Sequence, residues 1–540
     1  MKYIKYKLSA YIACLALIFA SCESTELDLT TDPNNLSVEQ SDPNFLLNGV
    51  LLNFTSVWNG FNGPSRDLTR MENLFSTYGS IVNTLTLDGA TGEYATSYRT
   101  FGNIQLLEDL NNDGADIPVH VGIAKTIQAY NLFLLVDYLG DVPFSEANNA
   151  AIEQPVADPG AEVYQAALDI LDEAIVLLNT STINLPTSDF YYDANTNNWI
   201  SLANTLKIRA YTNLALSSPA ESASAINSIL SQGNIIDMVD EDFNFSYTQT
   251  GPPVESRHPF FTGNYLPGGA STYMSNYYMF LLKDAKAVED PRLTYYVYRQ
   301  TGRAPEGQEI PCEGNAVYDY CYIGDGYWGR DHADNEGLPA DNILRTTYGI
   351  YPGGGAYDDE QFVSTVNSSN AGGAGIQPIF NSSFTHFLLA EGALKYGVNG
   401  DPLNYLNIAI TQSFDKVSGF LGSPEIDAAA VNAYLDAVNL EYANAAGDED
   451  QQLFIIEREF LLAMFGNGVE AYNMYRRTGM PIDPSNPGSL SSIQSPVFPA
   501  GPFPRVFVYG QNVVNNNQNI TQNETTERVF WDTNPVGFID

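Results

Sequence analysis

The sequence predicts a mainly α-helical protein built of helix pairs, interrupted by one large irregular insertion carrying little β structure. Three observations carry this. Apolar residues recur at three-and-four spacing through segments of both halves. Between roughly 235 and 380 that periodicity fades, and Gly, Pro, Tyr and Asn become dense. The stretch 128–147 is apolar on nearly every side as far as Leu139 and then meets Gly140-Asp141-Val142-Pro143. A helix apolar all round belongs in a core. Gly is favoured just past a helix end, and the following Pro prevents resumption.

The elements follow in order. Asp42-Pro43 is a cap residue followed by Pro at a first helical position, so a helix opens there and runs through Phe45 and Leu52. The core helix covers 119–139. Asp158-Pro159 begins another, with Val163, Ala166, Ala167, Ile170, Leu171, Ala174, Ile175 and Leu178 at three-and-four spacing. A third starts at Trp199 and reaches Arg209, and a short one near 222–231 answers it. After the insertion come 383–396, 402–418, 427–443, 451–465 and 467–477. Short links make neighbouring helices antiparallel pairs, the unit of helical-repeat packing. An irregular stretch as long as 235–380 inside a compact chain is usually functional.

The 540 residues carry 24 basic against 64 acidic side chains. Such a surface repels phosphate backbones, which argues against nucleic acid as a partner. The composition is rich in aromatics, with 34 Tyr, and poor in charge. That suits adaptable contacts with polar or carbohydrate-like ligands.

At the N-terminus Lys2, Lys5 and Lys7 precede a short apolar run over 11–20. This is the shape of a secretory signal peptide. Phe19-Ala20-Ser21-Cys22 resembles a bacterial lipobox, in which Cys22 carries lipid; a plain signal peptide cut elsewhere is the alternative. Without residues 1–21 the chain keeps 21 basic and 64 acidic residues, a net charge of −43. No later apolar run is expected to cross a membrane. Cys312 and Cys321 form an even pair that would close a loop as a disulfide outside the cytoplasm, or stay as two thiols. No CxxC pair exists, so a Cys-rich zinc site is excluded.

Motifs with catalytic meaning are weak. Gly324-Asp325-Gly326-Tyr327-Trp328-Gly329 matches G-x-G-x-x-G, but no apolar strand precedes it. Asp109-Leu110-Asn111-Asn112-Asp113-Gly114 resembles the start of a calcium loop, yet position twelve is His120 where a Glu is needed. His120, His258, His332 and His386 form no H-E-x-x-H pattern, and no G-x-S-x-G is present. The run Asp358-Asp359-Glu360 reads as a solvated face. No nucleophile, general base, metal centre or cofactor is implied. What remains is an aromatic set with polar neighbours in the insertion. Tyr273, Tyr277, Tyr327, Trp328, Arg330 and Asp331 are the candidate ligand-binding residues, the rings as stacking faces and the polar groups as readers.

Several stretches together resemble the SusD/RagB-like outer-membrane lipoproteins of Bacteroidetes. Gly140-Asp141-Val142-Pro143-Phe144-Ser145-Glu146-Ala147 is similar to their GDVPYSEA signature. The helix at 198–209, the segments Gly329–Asn335 and Arg345–Gly354, Phe387–Ala393, and Gly468–Pro481 resemble further family motifs in the family's order. Phe503–Tyr509 keeps one Arg where relatives often have two, and Gly510 replaces a Pro. The resemblance implies tetratricopeptide-like helix pairs, lipid anchoring at the outer membrane and a SusC-like TonB-dependent transporter as partner. It also implies nutrient binding, often of glycan, without catalysis. The motifs lie mostly on the scaffold and carry over no ligand site. The implied organisation is a signal peptide at 1–21, a lipid-anchored tether at 22–44 and one domain at 45–540. Within that domain the helical scaffold spans 45–234 and 381–483, the ligand-binding insertion 235–380 and an irregular C-terminal segment 484–540. A lipid-anchored glycoside hydrolase with a carboxylate pair, and a structural lid without ligand affinity, are the alternative readings.

Overall fold

Helix α1 (Pro43–Leu68) buries Leu47, Val50, Leu51, Phe54, Val57, Trp58, Phe61 and Leu68, one stripe at helical spacing. In the computed structural model, residues 41–75, 77–79, 90–149, 151–302, 324–334, 344–368, 372–484 and 500–539 are described. Cys22, Cys312 and Cys321 lie outside them. Pro43–Asp540 forms one compact unit.

The first helical block continues with α2 (Ala90–Leu110), α3 (Pro118–Leu139), α4 (Gly160–Leu178), α5 (Thr196–Leu214) and α6 (Pro219–Gln232). They pack as consecutive pairs, α1 on α2, α3 on α4 and α5 on α6. Helix α2 escapes the sequence pattern because part of its buried stripe is Ser97 and Thr100. Their hydroxyls donate to the Glu93 and Thr96 carbonyls at 2.9 and 2.7 Å, which lets small polar residues sit where apolar ones are expected. The stretch Asn111–Ala115 is a π turn that ends α2, with the Asn111 side chain accepting from the Ile117 amide at 2.9 Å.

In α3 only Lys125 and Gln128 escape burial. By length and composition α3 would span a membrane, contrary to the sequence expectation, but 89% of its most apolar window is buried inside the domain. It is the core helix. Gly140 leaves it at φ 79°, where a Cβ would be strained. The signature that follows is a clasp. Val142 and Asp158 exchange backbone hydrogen bonds at 3.1 and 3.0 Å. The Asp158 carboxylate accepts from the Phe144 and Ser145 amides at 2.7 and 2.9 Å, and Asp141 accepts from the Gly160 amide at 2.8 Å.

One acid interrupts the apolar surface of α3. Asp137 is fully buried and accepts from Tyr164 on α4, Arg209 on α5 (2.9 Å) and the Trp531 indole (2.9 Å). A fourth donor is Asn473 (2.9 Å).

The insertion leaves the scaffold through β1 (Phe243–Tyr247), followed by short helices α7 (Pro259–Asn264), α8 (Asn276–Lys283) and α9 (Leu293–Tyr296). Strands β2 (Val297–Tyr298) and β3 (Thr347–Tyr348) pair antiparallel, and β4 (Gly375–Phe380) returns to pair antiparallel with β1. The insertion is thus zipped at its own base. A buried charge cluster holds its middle to the second block. Arg292 grips Asp290 through two bonds of 2.9 and 2.6 Å, and Lys286 reaches Glu459 at 3.2 Å. Burial alone would raise the Asp290 carboxyl, but the Arg292 charge and hydrogen bonds hold it at about 2.

The second block is α10 (Ser382–Lys395), α11 (Pro402–Val417), α12 (Ala428–Asn444), α13 (Glu449–Ala463) and α14 (Gly468–Thr478), with a small α15 (Gln511–Asn516) in the C-terminal segment. Helix α14, which carries Asn473, crosses α1 at Gly468, where a Cβ would stand 2.3 Å from the Arg66 amide nitrogen. Arg477 grips Glu391 at 2.8 and 2.6 Å, and the fully buried Glu457 carboxyl faces that pair. Burial first, then the Glu391 charge, raises Glu457 well above the usual carboxylate range, against the pull of Arg477. Tyr396 borders the same group.

Two outcomes follow from these buried acids. Replacing Asp137→Ala strands four donors, one of them a charged guanidinium, and lowers the unfolding free energy by roughly 3–5 kcal/mol, read by urea titration. For Glu457 the folded pKa lies above the unfolded one. Its stabilisation is therefore full below the unfolded value of about 4.3 and is lost as pH rises towards the folded value. Glu457→Gln should leave the melting temperature close to wild type near pH ~4 and raise it above wild type near pH ~8. Parallel melting curves at both pH values would refute this reading.

Candidate functional site

The segment Gly329–Asp334 threads the insertion between α8 and α1. Arg330 donates its amide to the Met274 carbonyl at 3.1 Å, and its carbonyl accepts from the Asn276 amide at 2.9 Å. Gly329 is needed for this approach, because a Cβ would meet the Met274 carbonyl oxygen at 2.4 Å. Ala333 sits in the left-handed region at φ 60°.

Five of the six residues singled out from the sequence belong to a packed layer. Arg70 bonds Asp331 at 2.6 Å and lies over the Tyr277 ring at 4.7 Å. Arg330 pairs with Asp334 at 3.0 Å and lies over the Tyr273 ring at 5.4 Å, with Arg345 over the same ring at 3.8 Å. Tyr277 donates to the Pro481 carbonyl at 3.1 Å. Trp328 is 0% exposed, its amide donating to the Thr346 hydroxyl at 2.6 Å. The rings fill space that no long helix occupies, and the guanidinium groups satisfy the acids buried with them. In the same layer His332 contacts the Tyr78 hydroxyl at 3.0 Å, and burial, then the Arg70 charge, pushes its pKa well down.

Tyr327 is the member of the set that lines a cleft. The cleft is about 450 Å3 and is walled by Lys283, Glu289, Arg299, Asp325, Glu360 and Phe362 among others. The Arg299 guanidinium lies 4.6 Å from the centre of the Tyr327 ring and 5.2 Å from that of Phe362. It bonds Asp358 at 2.8 Å, Glu360 at 3.2 Å and the Asp325 carbonyl at 2.7 Å. Burial would lower the Arg299 pKa, but Asp358 and its neighbours raise it. Lys283 sits between Glu289 (3.4 Å) and Asp325 (3.7 Å). Tyr327 is 4% exposed, and its hydroxyl has no hydrogen-bond partner among the described residues. Burial raises its pKa, so the hydroxyl stays protonated and can both donate and accept.

Lys283, Glu289, Arg299 and Phe362 were marked by no sequence motif, while Asp325 lay in the Gly-rich run and Asp358 and Glu360 in the acidic run, neither of which was read as part of a site. The lining comes from α8, the turn before α9 and α9 itself, the residues after β2, the turn at Asp325 and the loop after β3, brought together by chain crossings that leave no spacing signature. Asp358 differs from the solvated role that its acidic run suggests: it is 3% exposed and holds Arg299.

Chain-wide comparison fits this architecture. The SusD-like family model described as "Starch-binding associating with outer membrane" matches residues 33–498. A SusD homolog from Bacteroides fragilis has 18% identity and a TM-score of 0.65, covering 91% of this chain and 99% of its own. A SusD/RagB family protein from Bacteroides thetaiotaomicron has 17% identity and a TM-score of 0.66, covering 92% and 100%. A chitin-binding SusD homolog from Flavobacterium johnsoniae has 17% identity and a TM-score of 0.62, covering 91% and 99%. No protein of curated function matches the sequence. The helix pairs, the insertion zipped at its base and the family match over residues 33–498 lead to one conclusion: the chain belongs to the SusD-like family, with its helical, tetratricopeptide-like fold.

Proposed function

We propose that the chain is a cell-surface nutrient-binding lipoprotein, held to the outer membrane by lipid on Cys22. It acts as lid and ligand-capture subunit of a SusC-like TonB-dependent transporter, with glycan as its ligand. The observation that carries this is the family match across residues 33–498, supported by the signal-and-lipobox pattern ahead of it. The chitin-binding relative supports carbohydrate as the ligand class. The ligand enters the cleft at Tyr327, where the phenol hydroxyl and exposed acids offer hydrogen bonds to sugar hydroxyls. Tyr273, Tyr277, Trp328, Arg330 and Asp331 act one layer down, fixing the segment that presents Tyr327. The chain binds and hands over its ligand without cleaving it, in keeping with the lack of a recognisable nucleophile or metal-ligand motif in the sequence.

Calorimetry on the purified chain with a panel of oligosaccharides tests the site. Tyr327→Ala should weaken binding of the active sugar about tenfold, roughly 1.4 kcal/mol, while the melting temperature shows that the fold persists. Unchanged affinity removes Tyr327 from the site, and release of shorter sugars from the mixture overturns the non-catalytic reading. Cys22→Ser should move the protein from the membrane fraction to the soluble fraction and abolish labelling by a palmitate analogue.

A further inference from the structure

The charges of the cleft are unequal once its internal pairs are drawn. Two cations, Lys283 and Arg299, face four carboxylates, Glu289, Asp325, Asp358 and Glu360. Asp358 is buried and bonded to Arg299 through Oδ2 at 2.8 Å and Oδ1 at 3.3 Å, so these two neutralise one another. Lys283 is shared between Glu289 and Asp325. The side chains of Glu289, Asp325 and Glu360 remain 51%, 73% and 72% exposed, with most of their oxygen lone pairs open to a ligand. Both cations also lie against the Tyr327 ring, at 4.6 Å for Arg299 and 5.5 Å for Lys283. Tyr327, Glu289, Asp325 and Glu360 thus line one cleft whose surplus charge is acidic.

We infer that this cleft selects glycans bearing protonated amines, such as deacetylated hexosamine units, over neutral sugars and over uronic acids. The inference rests on the glycan-binding reading above. An ammonium group brings three donors and a positive charge to carboxylates that have open acceptor sites. A sugar carboxylate entering the same space meets cations that are already paired and three acids of its own sign. The acidic chain as a whole, with 64 acids against 24 basic residues, adds a long-range field that concentrates cationic ligands and repels anionic ones.

The test is calorimetry of the purified full chain, at a pH where the amines are protonated, with equal-length oligomers of glucosamine, N-acetylglucosamine and galacturonic acid. Glucosamine oligomers should bind about tenfold more tightly than N-acetylated ones at low ionic strength, with the uronate weakest. Near ~1 M salt, where screening acts within about 3 Å, the gap should close. The exposed pair Asp325→Asn with Glu360→Gln should erase the preference, lowering glucosamine affinity by a larger factor than N-acetylglucosamine affinity. If the amine and N-acetyl oligomers bind alike, the charge selection is overturned and the glycan-binding reading stands. If the uronate binds most tightly, the selection is likewise overturned. If none of the three binds, the reading of the cleft falls, and this inference with it.

Discussion

The fold depends on a buried carboxylate. Asp137 lies in an apolar helix that is buried along almost its whole length, where an isolated charge would be several kcal/mol unfavourable. It is tolerated because its donors come from α4, α5, α14 and the C-terminal segment, through Tyr164, Arg209, Asn473 and Trp531. Each donor has little freedom, since the acid must be satisfied on all sides. Arg209 turns its other edge to Glu470 at 2.7 Å, and Arg476 bonds the Asp137 and Arg505 carbonyls at 2.7 Å each while stacking on Tyr472 at 4.0 Å. A hydrophobic contact tolerates sliding of one helix past another. A charge with four fixed donors does not, so Asp137 sets the register between halves of the chain separated by more than three hundred residues.

The insertion is positioned by a second system built on the same logic. Strands β1 and β4 close its base, and the Lys286, Asp290, Arg292 and Glu459 cluster pins it to α13. Tyr434 joins from α12, donating to Asp290 at 2.8 Å and Glu459 at 2.6 Å. Between these two fixings the described residues form no long helix, and the chain crosses itself. The crossing of Gly329–Asp334 over α8 presents Tyr327 to one cleft while Trp328 and Arg330 go into the packed layer.

The helices were legible because burial writes a period into sequence. The stripe of α1 and the continuous apolar run of α3 both announce their burial. Helix α2 was not legible, because Ser97 and Thr100 stand at buried positions and satisfy themselves on carbonyls one turn back. Loss of period marks the stretch between the helical blocks in the sequence, but the direction of its side chains was not legible. Tyr273, Tyr277 and Trp328 have the composition of a binding surface and the environment of a core. In an irregular segment no alternation separates inward from outward rings, and large aromatics are what fills volume between short elements. Arg330 and Asp331 were drawn inside with them because each has an opposite charge within reach, Asp334 for one and Arg70 for the other.

This division explains how relatives at 17–18% identity keep the fold over more than nine-tenths of the chain. Of the stretches that resemble family motifs, two lie in the insertion, while those ending at Arg209 and covering Gly468–Pro481 supply donors to Asp137, Val142 lies in the clasp and Arg477 pairs with Glu391. Those residues are coupled, since losing any one leaves a buried charge or donor without its partner. The cleft obeys no such constraint at its rim. Glu289, Asp325 and Glu360 are exposed, and exchanging one for a neutral or basic residue changes the field at Tyr327 without stranding a group in the core. A fold held by internal charges can therefore vary the charge of its cleft without disturbing the scaffold.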